Sequence, residues 1–227
     1  MGVLKKLIFR MKRNVVKYMT LSTTSVSATW SPASITNTGV TLTWDVTGDI
    51  APTSQNVDDP TFDLSANTGT VNMNVYDVIG LTNFQIFTFN LTALDISGAI
   101  NLITFQCTQN SITTLDVSKN IALQSLQCAR NSITTLDVSL NTSLVTLQCF
   151  INNITTLNIS LNTSLRELGC YGNNQTATVT DQIFIDLDTN GVINGTLNIR
   201  NNRTAASDTA RANLITKGWT ITDTYTT

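Results

Sequence analysis

Four cysteines recur at a spacing of 21, at Cys107, Cys128, Cys149 and Cys170, and the residues around them repeat in the same register. The cleanest copy, Leu123 to Ser143, reads LQSLQCARNSITTLDVSLNTS. Its leucine column is Leu94, Leu115, Leu136 and Leu157, and its asparagine column is Asn110, Asn131, Asn152 and Asn173. A unit this short cannot bury its own apolar side chains, so successive copies must stack and share one core. In LQSLQCA the alternation sends Leu126 and Cys128 inward and Ser125, Gln127 and Ala129 outward, the pattern of a parallel strand with one exposed face. The LDVS that follows places Leu136 and Val138 inside and Asp137 and Ser139 outside. Two extended pieces per copy and no helix predict a flat, narrow solenoid.

The segments LITFQCTQNSI, LQSLQCARNSI, LVTLQCFINNI and LRELGCYGNNQ follow the pattern LxxLxCxxNxI, with Phe105 for the second leucine in the first and a final glutamine in the last. This pattern resembles the leucine-rich repeat family, in the short LDVSxN form common in surface proteins of Bacteroidetes-like bacteria and in some of their phages. The likeness is strong over residues 81–175, with a degenerate first copy that has Ile86 in the cysteine column and Phe89 in the asparagine column. It implies a leucine-rich-repeat solenoid, mostly β, built on a parallel sheet. It is specific for fold and silent on ligand.

The flanks complete the organisation. Residues 1–19 read as a basic amphipathic arm, 20–80 as a β-rich N-terminal cap, 81–175 as the repeats and 176–227 as a C-terminal α/β cap of two helix-strand units. TDQIFIDLDTNG predicts a helix ending at Gly191, and SDTARANLITKG a second with Ser207 as N-cap and Gly218 after its end. About eight parallel strands are expected, near 70–75, 84–87, 105–108, 126–129, 147–150, 168–171, 197–200 and 219–222, with TVNMNV as the first.

Charge is unevenly distributed. Six of the 13 basic residues, Lys5, Lys6, Arg10, Lys12, Arg13 and Lys17, precede position 18, and no acid appears before Asp45. An acidic body excludes a nucleic-acid groove, which needs a basic face. On a helical wheel Val3, Leu4, Leu7, Ile8, Met11, Val15 and Tyr18 share one face of the arm, with the basic residues opposite. The arm is read as docking on other virion or surface proteins or on this fold itself, with lipid contact of residues 1–19 as the alternative. Its longest apolar run, Leu7-Ile8-Phe9, is too short for a signal-peptide core.

Chemistry has little material. The chain contains no histidine and a single glutamate, Glu167. The usual triads and general bases are therefore missing, and no enzyme, cofactor or metal is expected. Parallel strands lie about 4.8 Å apart, so four laddered sulfurs span too far for one zinc ion. Buried free thiols are expected, consistent with folding in a reducing cytoplasm. DLDTNG, with Asp186, Asp188 and Asn190, matches half a calcium loop but has Leu197 where the bidentate glutamate belongs. The outward column Asp95, Asp116, Asp137 and Asn158 reads as turn residues bonding local backbone.

The exposed sheet is the remaining candidate site. Its residues are Gln106, Gln127, Arg130, Gln148, Phe150, Ile151, Glu167 and Tyr171, where large side chains interrupt small polar columns. A host glycan would stack on Phe150 and Tyr171 and bond the Gln127 and Gln148 amides, whereas a protein would bury the same aromatics. The preferred function is a non-enzymatic phage virion component, a spike, fibre or minor capsid protein made in the host cytoplasm. The alternatives are a bacterial cell-surface adhesin and an intracellular protein-protein interaction module.

Overall fold

The computed structural model describes residues 18–23, 34–37, 43–48, 53–56, 71–76, 80–86 and 90–223. The arm residues Lys5, Lys6, Arg10, Lys12, Arg13 and Lys17 lie outside them. In chain order the first strands are β1 (Tyr18–Thr23), β2 (Ser34–Asn37), β3 (Thr43–Gly48), β4 (Thr53–Asn56), β5 (Val71–Tyr76), β6 (Leu81–Gln85) and β7 (Leu91–Asp95). Then come β8 (Thr104–Gln106), β9 (Ser125–Gln127), β10 (Thr146–Gln148), β11 (Glu167–Gly169), helix α1 (Ala177–Asn190), β12 (Thr196–Asn198), helix α2 (Asp208–Thr216) and β13 (Thr220–Thr222).

The 21-residue period becomes a ladder. Strands β6, β8, β9, β10, β11, β12 and β13 pair in parallel and in register, so Phe84, Phe105, Leu126, Leu147, Leu168, Leu197 and Ile221 form one apolar row. All but Ile221 in that row are buried, and so are the four cysteines and Ile86 in the cysteine column. In the degenerate first copy Phe84 stacks on Phe105 at 6.0 Å. Shared rows of this kind bury what no single copy could, at roughly 1.5–3 kcal/mol for each fully buried aliphatic side chain.

Three sequence expectations are corrected here. TVNMNV does not begin the solenoid sheet; β5 pairs antiparallel with β1 and β3 in a separate five-stranded sheet ordered β4-β3-β5-β1-β7. The eighth strand of the solenoid sheet is instead β2, antiparallel on β6. Second, the central strands begin one residue earlier than expected and end two earlier. The cause lies in the asparagine column. Asn131 Nδ2 donates to the carbonyls of Cys107 at 2.9 Å and Cys128 at 3.0 Å, and Asn152 Nδ2 to those of Cys128 at 3.1 Å and Cys149 at 3.0 Å. The cysteine carbonyls are thereby taken by side chains and not by a strand. Third, Ala129 does not face solvent; it is 1% exposed.

The same amides also bind copy to copy. The Oδ1 atoms of Asn110, Asn131, Asn152 and Asn173 accept from the N–H of Leu91, Ile112, Ile133 and Ile154, at 3.0–3.1 Å. A second, fully buried column was not singled out from the sequence: Asn120, Asn141 and Asn162. Asn141 Nδ2 donates to the carbonyls of Val117 at 3.0 Å and Asn120 at 2.9 Å, and Asn162 repeats this one copy on. Their Oδ1 atoms accept no bond. The aspartate column behaves as expected of turn residues: Asp95, Asp116, Asp137 and Asn158 accept from the N–H two residues on at 2.8–3.0 Å.

At the C-terminal end, α1 starts at Thr176, whose hydroxyl accepts from the Val179 N–H, and stops at Gly191 with φ 73°. A left-handed cap of this kind is most readily made by glycine. Ile183, Phe184 and Leu187 are buried on this helix and join the solenoid core. Ser207 precedes α2, but its side chain makes no cap bond; its hydroxyl donates to Asp181 Oδ1 at 2.6 Å. Asp186, Asp188 and Asn190 lie inside α1. Asp186 accepts from Gln182, Asp188 accepts from Lys217 and Asn213, and Asn190 donates to the Ile159 carbonyl.

Candidate functional site

The ladder carries one backbone irregularity at a fixed place in each copy. Gln109, Arg130, Ile151 and Gly172 follow one another at φ 57°, 56°, 54° and 66°. The N–H of Gln109, Arg130 and Ile151 still donates into the next copy, to the carbonyls of Ala129, Phe150 and Tyr171, before the chain turns and drives the following asparagine inward. Left-handed backbone suits Gly and is tolerated by Asn or Asp. Ile151 is β-branched and 38% exposed, so it holds this conformation without a buried side chain to reward it. Its Cγ1 lies 3.1 Å from where a Cβ on Gly172 would sit, so the glycine is the floor on which it rests.

Beside Ile151 the parallel register sets Phe150 against Tyr171, with ring centroids 4.8 Å apart and planes within 5°. Both rings are half-buried. The Arg200 guanidinium sits 5.3 Å from the Tyr171 centroid, giving a stack of two rings and a cation along three adjacent copies. Sequence reasoning missed Arg200 because it lies beyond the recognisable repeats. The signal was there: Leu197 pairs with Leu168, which brings position 200 into the column of Tyr171. Two residues earlier in the repeat, Gly169 leaves room for its neighbours. A Cβ there would collide with the Gln148 side-chain oxygen and lie 3.3 Å from Phe150 Cδ1.

The polar residues of the face are committed to one another. Gln148 Nε2 donates to Glu167 Oε1 at 2.8 Å, and the Thr146 hydroxyl donates to Glu167 Oε2 at 3.3 Å. Gln106 Nε2 reaches the Thr108 hydroxyl at 3.4 Å within its own copy. Thus Phe150, Ile151, Tyr171, Gln148 and Glu167 gather at the C-terminal half of the sheet, with Arg130 at its flank, Gln127 one copy away and Gln106 two. Among the described residues Lys217 pairs with Asp188, Arg211 with Asp223, and Arg203 with Asp208 and Asp223. Arg130, Arg166 and Arg200 pair with no carboxylate of that set.

Under the sheet the four cysteines are free and fully buried. Burial pushes their thiols up, that of Cys149 to about 12, so none is a nucleophile at neutral pH. On the other side of the coil the second extended pieces border a groove of about 760 Å³, floored by Leu115, Leu136 and Leu157 and walled at one end by α1.

No family model matches the chain, and no curated protein matches it. Among solved structures it is similar to the functional domain of InlJ from Listeria monocytogenes, which includes a cysteine ladder, with 30% identity and a TM-score of 0.44. The similarity covers 56% of this chain and 26% of that one.

Proposed function

We propose that this chain is a non-catalytic recognition module of the leucine-rich-repeat kind, which takes a protein partner on the exposed sheet around Phe150, Ile151 and Tyr171. The observation that carries the reading is Ile151, a β-branched, exposed side chain held in left-handed backbone next to a half-buried aromatic pair. Strain of this kind persists where the surroundings over-determine it and gathers at contact sites. Arg130 and Arg200, which pair with no carboxylate among the described residues, flank the apolar centre and suit a partner with acidic residues around an apolar anchor.

The stack geometry favours protein over glycan. A sugar ring needs an open aromatic face, but Phe150 and Tyr171 turn one face on each other, and Arg200 covers the second face of Tyr171. The Gln148 amide, read from the sequence as a glycan ligand, is already spent on Glu167. A partner meets the ring edges, the Phe150 face turned away from Tyr171, and Ile151.

A photo-crosslinking residue placed at Gln127, on the sheet face, should capture a partner that the same residue at Thr135, across the coil, does not. The double change Phe150→Ala and Tyr171→Ala should weaken that attachment by about 2 kcal/mol or more, roughly thirtyfold. Equal capture from both positions, or capture unaffected by the double change, moves the site off the sheet. For the biological setting our reading is a phage virion component, motivated by the basic arm and the Thr/Asn-rich β surface. Mass spectrometry of purified virions and of bacterial envelope fractions separates it from a cell-surface adhesin, and detection only in the envelope overturns it.

A further inference from the structure

The groove across the coil from the sheet combines two kinds of surface. Its floor is the outer edge of the leucine column Leu115, Leu136 and Leu157, each only 4–6% exposed, and its polar lining includes Asp116, Asp137 and, from α1, Asp186. A second groove of about 430 Å³ extends the same columns to Leu94 and Asp95. Among the described residues no lysine or arginine lines either one, although Lys119 lies close enough to Asp116 to help hold its carboxyl below the ordinary value. Leu140 and Leu161 are exposed at successive copies, in the repeat position that Lys119 holds one copy earlier. The surface is therefore an acidic row over the outer edge of an apolar column.

The chain contains one segment with the opposite character. Residues 1–17 hold six basic side chains, no acid, and the apolar set Val3, Leu4, Leu7, Ile8, Met11 and Val15. The topology brings the end of this segment to the groove. Strand β1 runs antiparallel to β7, with Leu21 opposite Leu94 and Thr20 opposite Asp95, so the backbone at Tyr18 lies just past the first aspartate of the row. From there the row to Asp137 is two copies long, about 10 Å at 4.8 Å per step. Seventeen residues reach about 25 Å even if helical, and further if extended, so length is no obstacle.

We propose that residues 1–17 of the same chain dock in this groove, with their apolar side chains on the leucine floor and their lysines and arginines on the Asp95–Asp116–Asp137 row. Occupation covers the acidic face and holds the arm in place until a partner competes for either side of the contact. The proposal is independent of the sheet-face reading, because it concerns the opposite side of the coil.

The test uses the full chain. Carbodiimide coupling without a spacer joins a lysine amine only to a carboxylate in contact with it. At low salt it should give a product of monomer mass linking Lys5, Lys6, Lys12 or Lys17 to Asp95, Asp116 or Asp137. The control is Asp116→Asn with Asp137→Asn, which removes two charges and keeps the turn, because Asn158 already holds the Ser160 N–H at 3.0 Å in the same role. In that variant, checked as folded by circular dichroism, the links to the unchanged Asp95 should also fall away. Trypsin should also cleave the arm about tenfold faster, as expected when some 1.4 kcal/mol of docking is lost. Products of dimer mass would assign the groove to the arm of a second copy and overturn the proposal. Arm lysines left unlinked, or arm cleavage equally fast in both proteins, would overturn it as well.

Discussion

At the scale of single residues, two columns of asparagine differ in what they satisfy, and the difference is measurable. Asn152 bonds two carbonyls and one N–H, whereas Asn141 bonds two carbonyls and carries an acceptor of its own that nothing meets. Leaving a buried polar group unpaired costs about 1–3 kcal/mol. Asn152→Ala should therefore destabilise by about 3 kcal/mol or more, and Asn141→Ala by about 1 kcal/mol less than that, read from urea midpoints at constant slope. Equal losses would mean that an ordered water completes the second column. Ile151→Asn makes the opposite prediction. Relief of left-handed strain should raise stability by about 1 kcal/mol while weakening partner binding. A loss of stability instead would show that packing of Ile151 over Gly172 outweighs the strain. The first asparagine column was legible in the sequence because it stands beside the cysteines. The second is the closing asparagine of LDVSxN, which stood in the motif but had no cysteine beside it to mark it as inward, and left-handed backbone has no signature when glutamine, arginine and isoleucine occupy it.

At the scale of elements, the two helices were legible because their stop signals are local: Gly191 and Gly218 both take positive φ at the ends they were read to mark. Start signals were less reliable. Ser207 has the composition of an N-cap, yet Asp181 on α1 claims its hydroxyl, a contact across 26 positions that no local pattern contains. These helices are tied by carboxylates. Asp181 accepts from Ser207 and Thr204, Asp188 from Lys217 and Asn213, and Asp223 from Arg211. Burial opposes ionisation of Asp181 and Asp188, but their hydrogen bonds and basic neighbours prevail, and for Asp223 the Arg211 bond dominates, so all three are held below the ordinary carboxylate value. A depressed folded pKa stabilises fully above the unfolded value, about 3.9, and that contribution fades as pH falls through the folded values. The α-helical signal should accordingly be lost below about pH 4, ahead of the β signal of the ladder, whose core contacts do not titrate. Simultaneous loss of both signals would show that the C-terminal units and the repeats unfold as one.

At the scale of the whole molecule, the period was the most legible property and the N-terminal strands the least. A repeat declares itself through its copies, whereas the end strands need partners the sequence does not announce. TVNMNV alternates like a solenoid strand, and only its pairing with β1 and β3 reveals another sheet. Within the repeats each copy meets its neighbours through the same columns, so the molecule behaves as a stack of nearly interchangeable layers. Interchangeability can be tested by removing a layer. Deletion of residues 123–143 joins Ala122 to Leu144 in unbroken register. Thr104-Phe105-Gln106 would then pair with Thr146-Leu147-Gln148, as each already does with Ser125-Leu126-Gln127. Asn152, which now donates to the Cys128 carbonyl, would donate to that of Cys107, as Asn131 does. The shortened chain should fold with the same circular dichroism per residue and three buried thiols that stay unreactive until denaturant is added. Its urea midpoint should be lower, because one layer and one interface are gone. Partner binding through Phe150, Ile151 and Tyr171 should survive, while the groove loses Asp137 and grips residues 1–17 less well. A deletion product that fails to fold would show that the layers are not equivalent and that Leu123–Ser143 holds an interaction specific to its place in the stack.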